Sequence, residues 1–184
     1  MKMKNTLASV AVAAALMSSS ALAADGTINF RGKLVANTCD ITINDQASPG
    51  VVVLPTLAAS TLATAGQTAG KTQFNIGLTN CEGMTSTSTA AAFFENGATV
   101  NTTTFNLINT DTSATGAENV QLQLLDATSD QAINIGNQNQ RTNTSRIDAS
   151  TASVVLPYAV QYYSLGTATA GDVTSQVNFS IDYE

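Results

Sequence analysis

Gln176-Val177-Asn178-Phe179-Ser180-Ile181-Asp182-Tyr183-Glu184 alternates strictly, with Val177, Phe179, Ile181 and Tyr183 on one side and Asn178, Ser180 and Asp182 on the other. A side-chain period of two belongs to a β-strand with one buried face. The same pattern recurs upstream, and the last strand is expected over Val173–Tyr183. Further strands are expected at Thr38–Ile43, Val51–Leu54, Gln73–Leu78, Ala90–Phe94, Thr104–Ile108, Val120–Leu125 and Val154–Tyr163. Asn44–Gly50 is a turn cluster, Pro55 is a stop, and Gly-, Asn- and Thr-rich loops such as Gly136–Ser145 separate the rest. Only Thr56–Thr64 offers a short helical turn. Many short strands between frequent turns predict an all-β, immunoglobulin-like β-sandwich.

Composition narrows the function before any motif is considered. The 184 residues include 13 Asp or Glu, seven Lys or Arg, and neither His nor Trp. Charged residues make up 11 % and apolar residues 43 %, so a core can form although charge is far below the ~25 % of an ordinary soluble domain. Without histidine there is no His-based triad or His metal ligand. Two cysteines alone cannot complete a four-ligand zinc site. A net charge of −6 opposes nucleic acid and anionic membrane as partners. Binding or assembly is expected, with no catalytic residue, metal or cofactor.

Residues 1–23 read as a secretory signal peptide. Lys2 and Lys4 begin it, Leu7–Met17 is apolar, and Ala21-Leu22-Ala23 ends it with a small–x–small cleavage pattern. This apolar run of 11 residues falls short of the ~20 that cross a bilayer, so the product is expected to be exported and not membrane-embedded. Cleavage leaves residues 24–184 as one domain-sized chain. In an oxidising compartment Cys39 and Cys81 are expected to pair. Neither a CxxC motif nor a basic neighbourhood marks a redox-active thiol.

A second alternating segment opens the mature chain. Gly26, Ile28, Phe30, Gly32 and Leu34 share one face; Thr27, Asn29, Arg31 and Lys33 share the other. Glycine on the apolar face of a strand marks close approach by another backbone. Gly26-Thr27-Ile28-Asn29-Phe30-Arg31-Gly32-Lys33-Leu34-Val35 followed by Cys39 resembles the start of a type 1 fimbrial major subunit, of the chaperone–usher pilin family. Phe74-Asn75-Ile76-Gly77-Leu78-Thr79-Asn80-Cys81 resembles that family's second-cysteine motif. Val120-Gln121-Leu122-Gln123-Leu124-Leu125-Asp126, Gly171 fourteenth from the end, and penultimate Tyr183 resemble its later motifs. The resemblance spans essentially the whole mature chain.

The resemblance implies a sandwich that lacks one strand and is completed by a donor strand from a neighbouring subunit. It divides the mature chain into a donor-strand extension, 24–36, and a pilin domain, 37–184. Gly26, Ile28, Phe30, Gly32 and Leu34 would enter the neighbour's groove. Gly171, Val177, Phe179, Ile181 and Tyr183 would form the groove edge where a chaperone docks. Implied partners are copies of the chain, a periplasmic pilus chaperone, an outer-membrane usher, and adaptor or tip subunits. The implied product is a cell-surface fimbrium.

Other readings compete. A tip adhesin would carry a separate lectin domain ahead of the pilin domain, whereas a minor adaptor would share every motif above. A hydrolase could draw on Asp126, Asp130 and Asp148, which sit in no recognisable motif. The sequons at Asn101, Asn143 and Asn178 are expected by chance in so Thr- and Asn-rich a chain. Tyr158, Tyr162 and Tyr163 read as strand packing, and Arg141 and Arg146 as solvated loop charges.

Overall fold

The computed structural model of the chain describes residues 28–32, 34 and 38–184. The signal segment and Gly26 lie outside the described residues. The chain divides into two compact units, Met1–Lys33 and Leu34–Glu184, and the strands below all belong to the second. They are β1 (Thr38–Ile43), β2 (Gln46–Ala47), β3 (Thr68–Glu82), β4 (Thr89–Phe94), β5 (Leu107–Ile108), β6 (Val120–Asp126), β7 (Ile147–Asp148), β8 (Val154–Ser164) and β9 (Phe179–Tyr183). One sheet runs β2-β1-β3-β8-β6-β5 and the other β7-β4-β9, with antiparallel pairing throughout.

Period-two patterns build the core between the sheets. Phe74, Ile76 and Leu78 of β3, Leu122 and Leu124 of β6, and Leu156, Tyr158 and Val160 of β8 all point inward. They meet Ala90, Ala92 and Phe94 of β4, and Ile76, Leu78 and Leu156 are wholly excluded from solvent. The Phe94 ring packs edge-on to Tyr158 with centroids 5.1 Å apart, a favoured aromatic geometry. Cys39 and Cys81 form a disulfide that ties β1 to β3.

Local chemistry sets the first turn. Asn44 (φ 48°) and Asp45 (φ 62°) connect β1 to β2, the two left-handed residues of a type I′ hairpin, which Asn and Asp tolerate best. The chain then doubles back over β1 at Gly50. A Cβ there would lie 2.4 Å from the Ile43 Cβ, so only glycine allows the crossing.

Several boundaries depart from the sequence expectation, each because a ladder is present or absent. Val51–Leu54 is not a strand, since no strand among the described residues pairs with it. Val173–Tyr183 shortens to β9, Phe179–Tyr183. Thr56–Thr64 contains a 3₁₀ turn at Ala59–Leu62. The loop Gly136–Ser145 contains a one-turn helix, α1 (Gln140–Asn143), and β7 follows it. In the N-terminal segment, Ile28–Gly32 and Leu34 carry no strand: an alternating segment is a strand only when something pairs with it.

Candidate functional site: an apolar groove between two open strand edges

An apolar groove of about 630 Å³ lies between the two sheets. Its floor is Phe74, Ile76, Phe94, Leu122, Leu124 and Val160; Val52 and Leu54 form one wall, Val177 and Phe179 the other. The burial pattern explains the first wall. Val51 and Val53 are 74 % and 80 % exposed, so their neighbours Val52 and Leu54 face inward.

Backbone pairing separates this groove from an ordinary ligand pocket. Along β4–β9, Thr89 and Glu184 exchange both backbone hydrogen bonds (2.9 and 3.0 Å), and Glu95 donates to the Asn178 carbonyl at 2.8 Å. By antiparallel alternation, the backbone groups of Phe179, Ile181 and Tyr183 then point away from β4, toward the groove side. Among the described residues β9 has no second strand partner. On the opposite wall, residues 48–57 make no backbone–backbone hydrogen bond among the described residues. Ser175, which lines the groove, holds a buried hydroxyl without a hydrogen-bond partner. Buried polar groups are almost always paired, so two unpaired edges flanking an apolar floor fit one incoming strand.

The far edge of β4 shows the opposite treatment. Beyond β7, the Ala92 N–H donates to the Tyr158 hydroxyl at 2.7 Å. The Phe94 N–H donates to Gln140 Oε1 at 3.0 Å, and Gln140 Nε2 donates back to the Phe94 carbonyl at 3.0 Å. Side chains thus close that edge where no strand is available. Burial pushes the Tyr158 hydroxyl up to about 12 even though the Ala92 N–H donates to it. Tyr158→Phe is expected to leave the buried Ala92 N–H unpaired and to cost about 1–3 kcal/mol. Thermal unfolding would show this as a drop of several degrees; an unchanged Tm would refute the cap.

The predicted edge residues divide into three places. Val177 and Phe179 line the groove. Ile181 and Tyr183 continue the same face of β9 and pack on the core, and the Tyr183 hydroxyl reaches Cys39 Sγ at 3.4 Å, so the sheets meet at that end. Gly171 departs from the expectation and is not part of the groove lining. It lines a separate, smaller cavity, where a Cβ would come within 2.5 Å of the Ala117 nitrogen and the Thr115 carbonyl oxygen. Close backbone packing therefore explains that glycine. Of the predicted donor face, Ile28, Phe30 and Leu34 are 77 %, 90 % and 101 % exposed, and no atom lies within 4 Å of a Cβ built on Gly32.

Arg141 and Arg146, expected as solvated charges, instead hold β9. Arg146 reaches Asp182 Oδ2 at 3.1 Å, the Asp182 carbonyl at 3.0 Å and Glu184 Oε2 at 3.2 Å. Arg141 donates to Asp182 Oδ1 at 2.8 Å and lies over the Phe93 ring. Their positions follow from tertiary packing and left no sequence signal.

The candidate carboxylates do not converge. Asp126 is 2 % exposed and accepts from the Thr128 and Ser145 N–H groups and the Ser129 hydroxyl. Burial raises its pKa, but the hydrogen bonds from Ser145, Ser129 and Thr128 outweigh that and hold it below the ordinary value. Asp130 pairs with Lys71, and Asp148 caps the Ser150 N–H. Each carboxylate serves its own turn or ion pair.

Comparison with known proteins agrees with this geometry. The family model for type-1 fimbrial protein A (FimA) matches residues 54–184. The F17 fimbrial protein of Escherichia coli is 42 % identical over 175 residues, covering 94 % of this chain and 95 % of that protein. The major fimbrial subunit SMF-1 of Stenotrophomonas maltophilia (strain K279a) is 43 % identical over 169 residues, covering 88 % and 94 % respectively. The P pilus rod subunit PapA superposes with a TM-score of 0.58 at 16 % identity, over 79 % of this chain and 99 % of its own. A chaperone–usher pilus structure gives 0.56 at 18 %, over 88 % and 96 %. The fold is therefore that of pilus subunits, an immunoglobulin-like sandwich left incomplete. The chain belongs to the type-1 fimbrial protein family. It is a structural subunit of a fimbrium, in a family without enzymatic activity.

Proposed function

We propose that the chain polymerises by donor-strand exchange, residues 24–36 of one copy filling the apolar groove of the next. The observation that carries this reading is the pair of unpaired backbone edges flanking an apolar floor. The same chain carries an alternating apolar segment whose described large side chains are exposed. Addition of a strand to an open sheet edge is an established mode of peptide recognition, pilin complementation among its examples. Gly26, Ile28, Phe30, Gly32 and Leu34 form the inserted face. Burying Ile28, Phe30 and Leu34 contributes roughly 1.5–3 kcal/mol each before ordering costs, and each ladder hydrogen bond adds about 0.5–1.5 kcal/mol net.

An open edge beside an apolar cleft invites aggregation. A periplasmic chaperone accordingly covers the β9 edge at Val177, Phe179, Ile181 and Tyr183 after export, and an outer-membrane usher exchanges it for the next subunit. Adaptor or tip subunits join the same fibre, which supports adhesion of the cell. The test adds a synthetic peptide spanning Ala24–Val35 to the mature chain and follows thermal unfolding. Saturable stabilisation by several degrees is expected; an unchanged melting curve at saturating peptide would overturn the donor reading.

A further inference from the structure

The chain holds three arginines, Arg31, Arg141 and Arg146, and the fold treats them in two ways. Arg146 is mostly buried and is bonded to Thr89, Asp182 and Glu184. The peptide bond after it leads into Ile147 of β7, which pairs with Ala90 of β4. Arg141 is half-exposed, but its guanidinium is held by Gln138 and Asp182 and lies over the Phe93 ring. The bond after it lies within α1, where the Thr142 N–H donates to the Asn139 carbonyl at 3.1 Å.

Arg31 differs in each respect. It is exposed, in a stretch, Ile28–Gly32, that forms neither strand nor helix. Among the described residues neither an ion pair nor a backbone hydrogen bond engages it. A Cβ built on the next residue, Gly32, meets nothing within 4 Å. A protease that selects arginine takes the guanidinium into a pocket with its own carboxylate, and it needs room around the bond it cuts. Arg31 meets both needs as it stands. Arg141 and Arg146 would first have to leave Asp182 and open a helical turn or a ladder, which requires local unfolding.

We propose that the Arg31–Gly32 peptide bond is a cleavage site for an arginine-selective protease in the unassembled subunit, and that the cut turns a link of the fibre into its terminator. Water adds across the amide: the C–N bond between Arg31 and Gly32 breaks, leaving a carboxylate on Arg31 and an amino group on Gly32. The terminator role rests on the donor-strand reading above. The released piece carries Gly26, Ile28 and Phe30 of the donor face, whereas residues 32–184 keep every residue that lines the groove. Such a subunit accepts a strand and has none to give. Within a fibre the neighbour covers the same bond, so the cut falls on subunits left out of assembly.

The mature chain is treated under native conditions with a protease that cuts after arginine, and the products are identified by mass. Cleavage after Arg31 is expected to be at least about a hundredfold faster than after Arg141 or Arg146, and R31Q should abolish it. Once the protease is inhibited, the cut chain should bind the Ala24–Val35 peptide as the intact chain does. Added to polymerising intact subunits, it should shorten the fibres. First cleavage after Arg141 or Arg146, or equally fast cutting of R31Q, would overturn the site and leave the donor reading intact. Isolated fibres should resist cutting after Arg31 by at least about a hundredfold. Fibres cut as fast as free subunits, or normal fibres grown from the cut chain alone, would instead sink the donor reading and the terminator role, with the cleavage site left standing.

Discussion

Phe30→Asp is expected to give a folded, exported subunit that forms no fibre. Phe30 is 90 % exposed, so its replacement removes no buried contact from the subunit itself. In the neighbour's groove the change has two effects. It loses roughly 1.5–3 kcal/mol of apolar burial, and it places a carboxylate over a floor of Phe74, Ile76, Leu122 and Leu124. Desolvating an unpaired charge there costs several kcal/mol more. Together these correspond to a loss of at least about a thousandfold in strand affinity. Electron microscopy of cells and of the sheared surface fraction should show no filaments, while the periplasm retains soluble subunit. Normal fibres from this variant would remove Phe30 from the donor role.

The second large effect is expected at the disulfide. Cys39 and Cys81 are separated by 42 residues, and closing such a loop restricts the unfolded chain by about 4 kcal/mol. That is a large part of the 5–15 kcal/mol typical of a whole domain. The bond also fixes β1 to β3, and Ile41 and Ile43 of β1 line the groove. The double variant Cys39→Ser, Cys81→Ser is expected to melt about 8–16 °C lower, with reduced yield and slower peptide capture. A melting temperature matching the parent would show that the pair adds nothing to stability.

The sheet elements were the most legible part of the chain, and the physical reason is local. A strand with one buried face imposes a period of two on its own residues. Thr38–Ile43, Gln73–Leu78, Ala90–Phe94 and Val120–Leu125 each fall within or nearly coincide with an observed strand. The disulfide was legible because only one internal pairing exists. The alternation from Gly26 to Leu34 is equally plain in the sequence, but Ile28–Gly32 and Leu34 form no strand here, and the role of that face is the proposal made above.

What escaped depends on partners distant in sequence. Gln140 sits in an Asn- and Gln-rich loop with nothing to distinguish it, yet its amide occupies a strand's place beside Phe94. Arg146 reads as one more loop charge, but its guanidinium joins Thr89, Asp182 and Glu184. Gly171 was assigned to the groove edge by its distance from the C-terminus, whereas its neighbours are Thr115–Ala117. Sequence position carries no information about which segment folds alongside.

Taken alone, the order of residues established the β class, the absence of histidine and the cysteine bridge, and it displayed the alternation at both ends of the mature chain. Side-chain periodicity and composition express those properties without reference to any neighbour. Only the folded chain decided that Val51–Leu54 stays unladdered, that β9 lies at a sheet edge, and that the two flank one apolar cleft. A backbone group is unpaired because of what stands next to it in space, and that is a property of the assembled sheets.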